Sequence, residues 1–166
     1  MKVCLVRHAI AIDRDAPNLI SDAARELTTE GIEKMRRNAR AIRKIGMVFD
    51  AVWSSPLLRA RQTAEILADA FDPKPPVEVV RALEPAGHFE DLLLRLQERK
   101  ASETIALVGH EPSLGELASF MIGGPRNVAI PFKKGGAACI VLEELQPPLR
   151  GELLWLLTPK IMSTID

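Results

Sequence analysis

Apolar and polar positions along this chain follow two alternating rhythms. Val3-Cys4-Leu5-Val6 is an unbroken apolar run cut off by Arg7 and His8. That is the pattern of a buried strand whose carboxyl end delivers charge to the surface. From Thr28 the period lengthens: Ile32, Met35, Ala39, Ile42 and Ile45 recur at helical spacing, with Thr28 as N-cap, Glu30 in the first turn and Gly46 as a stop. Phe49 to Trp53 predicts a second strand. Ser55 and Pro56 suit the cap and first position of a second helix, striped by Leu57, Ala60, Ala64, Leu67, Ala68 and Phe71. After Pro73, Pro75 and Pro76, Val77 to Val80 predicts a short strand, and Phe89, Leu92, Leu93 and Leu96 begin a third helix. Thr104 to Val108 is the next buried strand. Pro112 opens a helix striped by Leu114, Leu117, Ala118 and Met121 and stopped by Gly123-Gly124-Pro125, and Ala137 to Leu142 and Leu153 to Leu157 supply two more strands. Strands alternating with helices through residue 122 predict an α/β fold, a three-layer α/β/α sandwich around a mostly parallel sheet.

Composition narrows the class. A chain of 166 residues suits one domain spanning 1–166. With 22 basic and 22 acidic residues, the totals give no sign of a nucleic-acid or membrane-surface protein. Four apolar residues before Arg7 are too few for a signal peptide, and no apolar run approaches the ~20 residues of a membrane span, so the expected location is the cytoplasm. Cys4 and Cys139 lie in apolar runs without a ligand spacing and read as buried free thiols.

In open α/β sheets, ligand sites form outside the carboxyl ends of strands. Three predicted strands end in polar reagents. Arg7 and His8 follow the first. Arg59 lies in the first turn of the helix after the second, with Gln62 and Thr63 nearby, where backbone N–H groups and the helix dipole favour an anion. His110 follows Thr104 to Val108. Alone, each reads as ordinary surface charge. The basic residues of the first helix, Lys34, Arg36, Arg37, Arg40, Arg43 and Lys44, are explained as well by a solvated face as by an acidic partner. Glu90 and Asp91 beside His88 read as an acidic first turn rather than a metal set, and Lys133-Lys134-Gly135-Gly136 as a plain turn. Residues 11–27 form a polar connection longer than a simple turn, a length often tied to function.

Taken together, Leu5-Val6-Arg7-His8-Ala9, the run from Ser54 through Arg59 to Ala64, and Val108-Gly109-His110-Glu111-Pro112 resemble the histidine phosphatase superfamily, the phosphoglycerate mutase-like fold. The resemblance covers nearly the whole chain. The run Ser21 to Gly31, the small size and the lack of a large inserted helical subdomain resemble its bacterial phosphohistidine phosphatase branch, although Arg25-Glu26-Leu27 stands where many members have an arginine followed by proline and leucine. The resemblance implies one antiparallel strand in the sheet. It also implies that His8 attacks phosphorus to give a phosphohistidine enzyme, which water then hydrolyses. Arg7, Arg59 and His110 would bind the phosphoryl oxygens, with no metal and no cofactor, the arginines filling the electrostatic role of Mg²⁺. For this His8 must be neutral; a cationic pocket favours that, and an acceptor on its other ring nitrogen, which the sequence does not identify, would fix the tautomer.

The acid for the leaving group is the open position. Glu84 stands roughly where larger members of the superfamily place a glutamate, and Asp13, Asp15 and Asp22 are rivals. A phosphoramidate needs such an acid less, because a protonated imidazole leaves readily. The implied partner is a phosphorylated protein carrying phosphohistidine on a phosphotransfer domain. The alternatives are a small phosphorylated metabolite, acted on by an ester phosphatase or mutase, and a non-catalytic phosphate-binding domain.

Overall fold

The computed structural model describes residues 1–17, 19–85, 87–123 and 128–166; Asn18, Ala86 and 124–127, which include the Gly124-Pro125 stop expected after the fourth helix, lie outside the described residues. Six strands form one sheet: β1 Lys2–Arg7, β2 Ala51–Ser54, β3 Val77–Val79, β4 Thr104–Gly109, β5 Ala137–Leu142 and β6 Gly151–Leu157. Their spatial order is β3-β2-β4-β1-β5-β6. β1, β2, β3 and β4 pair in parallel, whereas β5 is antiparallel to both β1 and β6. One strand therefore runs against the rest, as the resemblance implies.

Side-chain alternation on the central strands builds the layers. Val3 and Leu5 of β1 and Ile105 and Leu107 of β4 face a core completed by Leu92 and Leu96 of α3 (Phe89–Gln97) and by Leu114, Leu117 and Met121 of α4 (Ser113–Gly123). Cys4, Val6, Ala106 and Val108 face the other way. They meet Met35, Ala39 and Ile42 of α1 (Thr29–Lys44), Ala60, Ala64 and Leu67 of α2 (Leu58–Ala68) and Met162 of α5 (Pro159–Ile165). Both faces of β1 and β4 are buried, which explains their uninterrupted apolar runs. Cys4 and Cys139 are free, buried and opposite one another across the β1–β5 ladder. Burial raises both thiols above their usual range, Cys139 to about 11.

Several boundaries shift for local reasons. α1 is capped as predicted, with Thr28 Oγ1 accepting from Gly31 N at 3.0 Å and Gly46 beyond its end at φ +85°. Ile45 is its C-cap and 39% exposed instead of completing the stripe. β2 begins at Ala51, because Asp50 turns its carboxylate to Thr104 N at 2.7 Å. α2 starts at Leu58, two residues beyond Pro56. Leu57 is extended and Ser55 is engaged elsewhere, so no side chain caps this helix, yet Arg59 still falls in its first turn. α5 was not anticipated from the pattern. It is short and begins with Thr158 as N-cap before Pro159, and it docks on α1 through Met162 and an ion pair from Arg40 Nε to Asp166 at 2.7 Å. Among the described residues no helix is long and apolar enough to cross a membrane.

The 11–27 connection is not loose at its ends. Ala11 and Leu27 form an antiparallel bridge, and Ile10 O accepts from Thr28 N at 3.0 Å. The start of α1 is thereby drawn against the exit of β1. A Cβ on Gly31 would lie 2.1 Å from the Ile10 carbonyl oxygen. Gly31→Ala should therefore destabilise the protein by about 1–3 kcal/mol, the usual cost of overpacking, measured by urea unfolding; an unchanged midpoint would contradict this close approach.

Candidate active site

The carboxyl ends of β1, β2 and β4 bring the predicted reagents together. Arg7, His8, Arg25 and Arg59 line a cleft of about 970 Å³, with Asp13 and Asp15 from the long connection, Glu111 after β4 and Lys134 from the turn before β5. His8 and Arg59 are only 6% and 2% exposed. His110, 3% exposed, does not line the cleft wall; its ring lies 5.1 Å from that of His8, inclined by 52°.

The backbone around His8 is clamped from several sides. His8 N donates to Gly109 O at 3.0 Å, and Arg7 N donates to Gly136 O at 3.0 Å. Gly135, at φ +77°, shares its N–H between the carbonyls of Arg7 and His8, both at 3.1 Å. Asn38 Nδ2 holds Gly135 O at 3.0 Å. The Lys133–Gly136 turn is thus a brace for the strand end, a closer involvement than a plain turn. Ala9 N donates to Thr63 Oγ1 at 3.0 Å, and Thr63 in turn donates to Arg59 O at 2.6 Å.

Imidazole chemistry follows from these bonds. His8 Nδ1 lies 2.7 Å from the carbonyl oxygen of Ala9, an atom that can only accept, so Nδ1 carries the proton and Nε2 keeps the lone pair. His110 Nε2 lies 2.8 Å from the hydroxyl of Ser55. If the hydroxyl donates there, His110 presents a proton on Nδ1. Burial lowers the pKa of His8 to about 3, against the Ala9 bond and with the help of His110, Arg59 and Arg7; burial and Arg59 lower that of His110 to about 4. Both rings are neutral near pH 7.

Arg7 Nη1 donates to Phe132 O at 2.6 Å, and Arg59 donates through Nη1 to Asp22 O at 2.8 Å and through Nη2 to Asp22 Oδ2 at 3.1 Å. Asp22 also pairs with Arg25 at 3.0 Å and Arg14 at 3.2 Å. Partial burial opposes its ionisation, but the bonds from Arg25 and Arg59 hold its carboxyl below the usual range. The buried side-chain nitrogens without a partner among the described residues are Arg7 Nε, Arg59 Nε, His110 Nδ1 and Trp53 Nε1. Three of these four belong to this one cluster. Buried polar atoms are normally satisfied, so a neutral histidine nitrogen beside the unpartnered Nε–H groups of Arg7 and Arg59, with His110 Nδ1 as a third donor when Ser55 donates to its Nε2, has the chemistry of a site for a tetrahedral oxyanion.

Not every predicted candidate joins it. Glu84 is half-buried in a separate hollow with Arg81, Gly87, His88 and Asp91, while its neighbour Pro85 lines the cleft. Asp13 and Asp15 do reach the cleft, and Asp22 is a tether for Arg59. Gln62 uses its side-chain oxygen to take Leu27 N–H at 2.7 Å, closing the long connection. Among the described residues, no group of three or more His, Cys, Asp or Glu could hold a metal ion. Sequence reasoning missed Ser55, Thr63 and Asn38 as supports. Asn38 carried a signal, being polar three residues after Met35 on a buried helix side; the Ala9 carbonyl carried none, since any residue would supply it.

The sequence signature of the histidine phosphatase superfamily (branch 1) matches residues 3–92, more than half of the chain. The chain belongs to the histidine phosphatase superfamily. An uncharacterised protein of Picosynechococcus sp. (strain PCC 7002) is 36% identical over 165 residues, covering 96% of this chain and 98% of that one. The phosphohistidine phosphatase SixA of Escherichia coli is 27% identical, with 96% and 94% covered. A solved structure of the protein histidine phosphatase SixA complexed with tungstate superimposes with a TM-score of 0.83 at 27% identity, covering 96% of this chain and 98% of that one.

The buried histidines contribute to the pH dependence of stability. Unfolded, each histidine takes up a proton below pH ~6.5, whereas His8 and His110 in the folded protein stay neutral down to about 3 and about 4. The unfolded state binds more protons in that window, so stability falls as pH drops from about 6.5 toward 4. The thermal midpoint of His110→Asn should fall less steeply over this range than that of the unsubstituted protein; parallel slopes would contradict the neutral assignment.

Proposed function

We propose that this protein is a metal-independent phosphatase that removes the phosphoryl group from a phosphohistidine on a phosphotransfer protein, through a phosphohistidine intermediate on His8. The observation that carries the reading is the Nε2 lone pair of His8 beside the unpartnered Nε–H groups of Arg7 and Arg59 and the unpartnered Nδ1 of His110. In the first step the Nε2 lone pair of His8 forms a bond to phosphorus as the bond between phosphorus and the substrate imidazole breaks, and that imidazole leaves with its proton. In the second, water attacks phosphorus, inorganic phosphate departs and His8 returns to its neutral form. One difficult transfer becomes two easier ones. Arg7, Arg59 and His110 would bind the phosphoryl oxygens throughout, supplying stabilisation as charge redistributes.

The choice of a phosphoramidate rests on what stands around the cleft. An ester demands a strong acid for its leaving alkoxide, and Glu84, the first candidate, lies in a different hollow. Imidazole leaves without one. A cleft of about 970 Å³ has room for a side chain presented by another protein, and the SixA relatives are named as phosphohistidine phosphatases. Two buried free thiols fit a reducing compartment such as the cytoplasm. A small phosphate ester is the second reading, favoured by Asp13 and Asp15 at the cleft, either of which could protonate an alkoxide.

The test is phosphate release from a phosphohistidine-bearing phosphotransfer protein and from a panel of phosphate esters, side by side in EDTA. The expected result is preference for the protein substrate, abolished in His8→Ala and lowered by about 10²–10³ in Arg59→Ala, as for loss of one preorganised donor. Preference for esters would move the protein to the second reading, and full turnover in His8→Ala would overturn the nucleophile.

A further inference from the structure

Glu111 sits beside His110 and lines the cleft, yet none of the steps above uses it. Its Oε1 accepts from Phe132 N at 2.6 Å, and its carboxylate also receives the N–H of Gly115 in the first turn of α4. The carbonyl of the same residue, Phe132, accepts from Arg7 Nη1 at 2.6 Å. A continuous path therefore runs from the start of α4 through the Glu111 carboxylate and the Phe132 peptide to the Arg7 guanidinium. Around Phe132 the chain is neither helix nor strand, so no ladder fixes that carbonyl. Its position depends on the buried Phe132 ring and on the bond to Glu111. The approach is close: a Cβ on Gly115 would lie 2.8 Å from Ile130 O and 3.2 Å from Glu111 Oε2.

We infer that Glu111 is a positioning residue for the reaction, holding the Phe132 peptide so that its carbonyl turns the Arg7 guanidinium, with Nε free, toward the phosphoryl group. This rests on the proposed role of Arg7 in binding that group. A role for Glu111 as the acid is disfavoured by the same geometry, because its carboxylate is occupied as an acceptor of two backbone N–H groups. Burial raises its pKa, opposed by the Phe132 bond, so protonation at acid pH would weaken the brace along with the carboxylate.

The experiment is a double-mutant cycle between Glu111→Ala and Arg7→Ala, read by the affinity for inorganic phosphate and by kcat/KM for phosphate release, with unfolding midpoints for every variant. Glu111→Ala should lower both readouts roughly 10- to 100-fold, the scale of a misplaced catalytic group. Glu111→Gln, whose amide oxygen can still accept from Phe132 although its NH2 cannot accept from Gly115, should lose clearly less of each than Glu111→Ala. On the Arg7→Ala background, Glu111→Ala should add almost nothing, since there is no guanidinium left to orient. A purely structural glutamate would give the same fold-loss on both backgrounds, and that result overturns the inference. So does unchanged phosphate affinity in Glu111→Ala. Should Glu111→Ala fail to fold, Glu111→Asp enters the same cycle; it keeps the charge but is one methylene too short for Phe132, and the same coupling is expected. Unchanged affinity in Arg7→Ala alone would overturn the phosphate-binding role of Arg7 and the inference with it, whereas a large loss there with additive Glu111 variants overturns the inference only.

Discussion

The 2.7 Å contact between His8 Nδ1 and the carbonyl of Ala9 fixes which ring nitrogen keeps its lone pair, and much of the surrounding structure holds the backbone there in place. Ala9 is held through its N–H by Thr63 on α2, His8 by Gly109 at the end of β4, and both Arg7 and His8 by the Gly135 turn before β5. Asn38 on α1 then holds the turn. Two helices of one face and the strands on either side of β1 thus converge on three consecutive peptides. The acceptor belongs to the very next residue, so the tautomer is set locally and the long-range contacts set only the orientation.

Electrostatics make the same point from the other direction. A histidine among arginines would be a poor candidate for a cation, and burial together with those charges keeps His8 and His110 neutral. The guanidinium groups are themselves held by carbonyls and one carboxylate: Phe132 O for Arg7, Asp22 for Arg59. Each such bond uses Nη1 or Nη2 and leaves Nε buried without a partner. Orientation is bought before any ligand arrives, which is how fixed donors become useful to a charged transition state.

Much of this was legible in the sequence because strand ends are marked by abrupt changes of polarity. Arg7, His8 and His110 each follow an apolar run, and Arg59 follows a strand and a proline at helical spacing, so their convergence could be anticipated from the α/β alternation. What could not be read is work done by the main chain or by generic side chains. Ser55 looks like a helix cap in sequence, but in the fold its hydroxyl faces His110 and α2 goes uncapped. α5 escaped notice because seven residues leave too little periodicity to detect. Glu84 illustrates the converse: a position matched along the chain does not ensure that its side chain turns into the cleft, and here Pro85 does instead.

The most direct test of this account is the site of phosphorylation on the trapped enzyme. Phosphorus and nitrogen NMR of the intermediate, formed at low temperature from a phosphoryl donor, distinguishes phosphate on Nε2 of an imidazole from phosphate on Nδ1. The account predicts a phosphoryl group on Nε2 of His8, with Nδ1 still protonated against Ala9. Phosphate on Nδ1, or on any other residue, would contradict it.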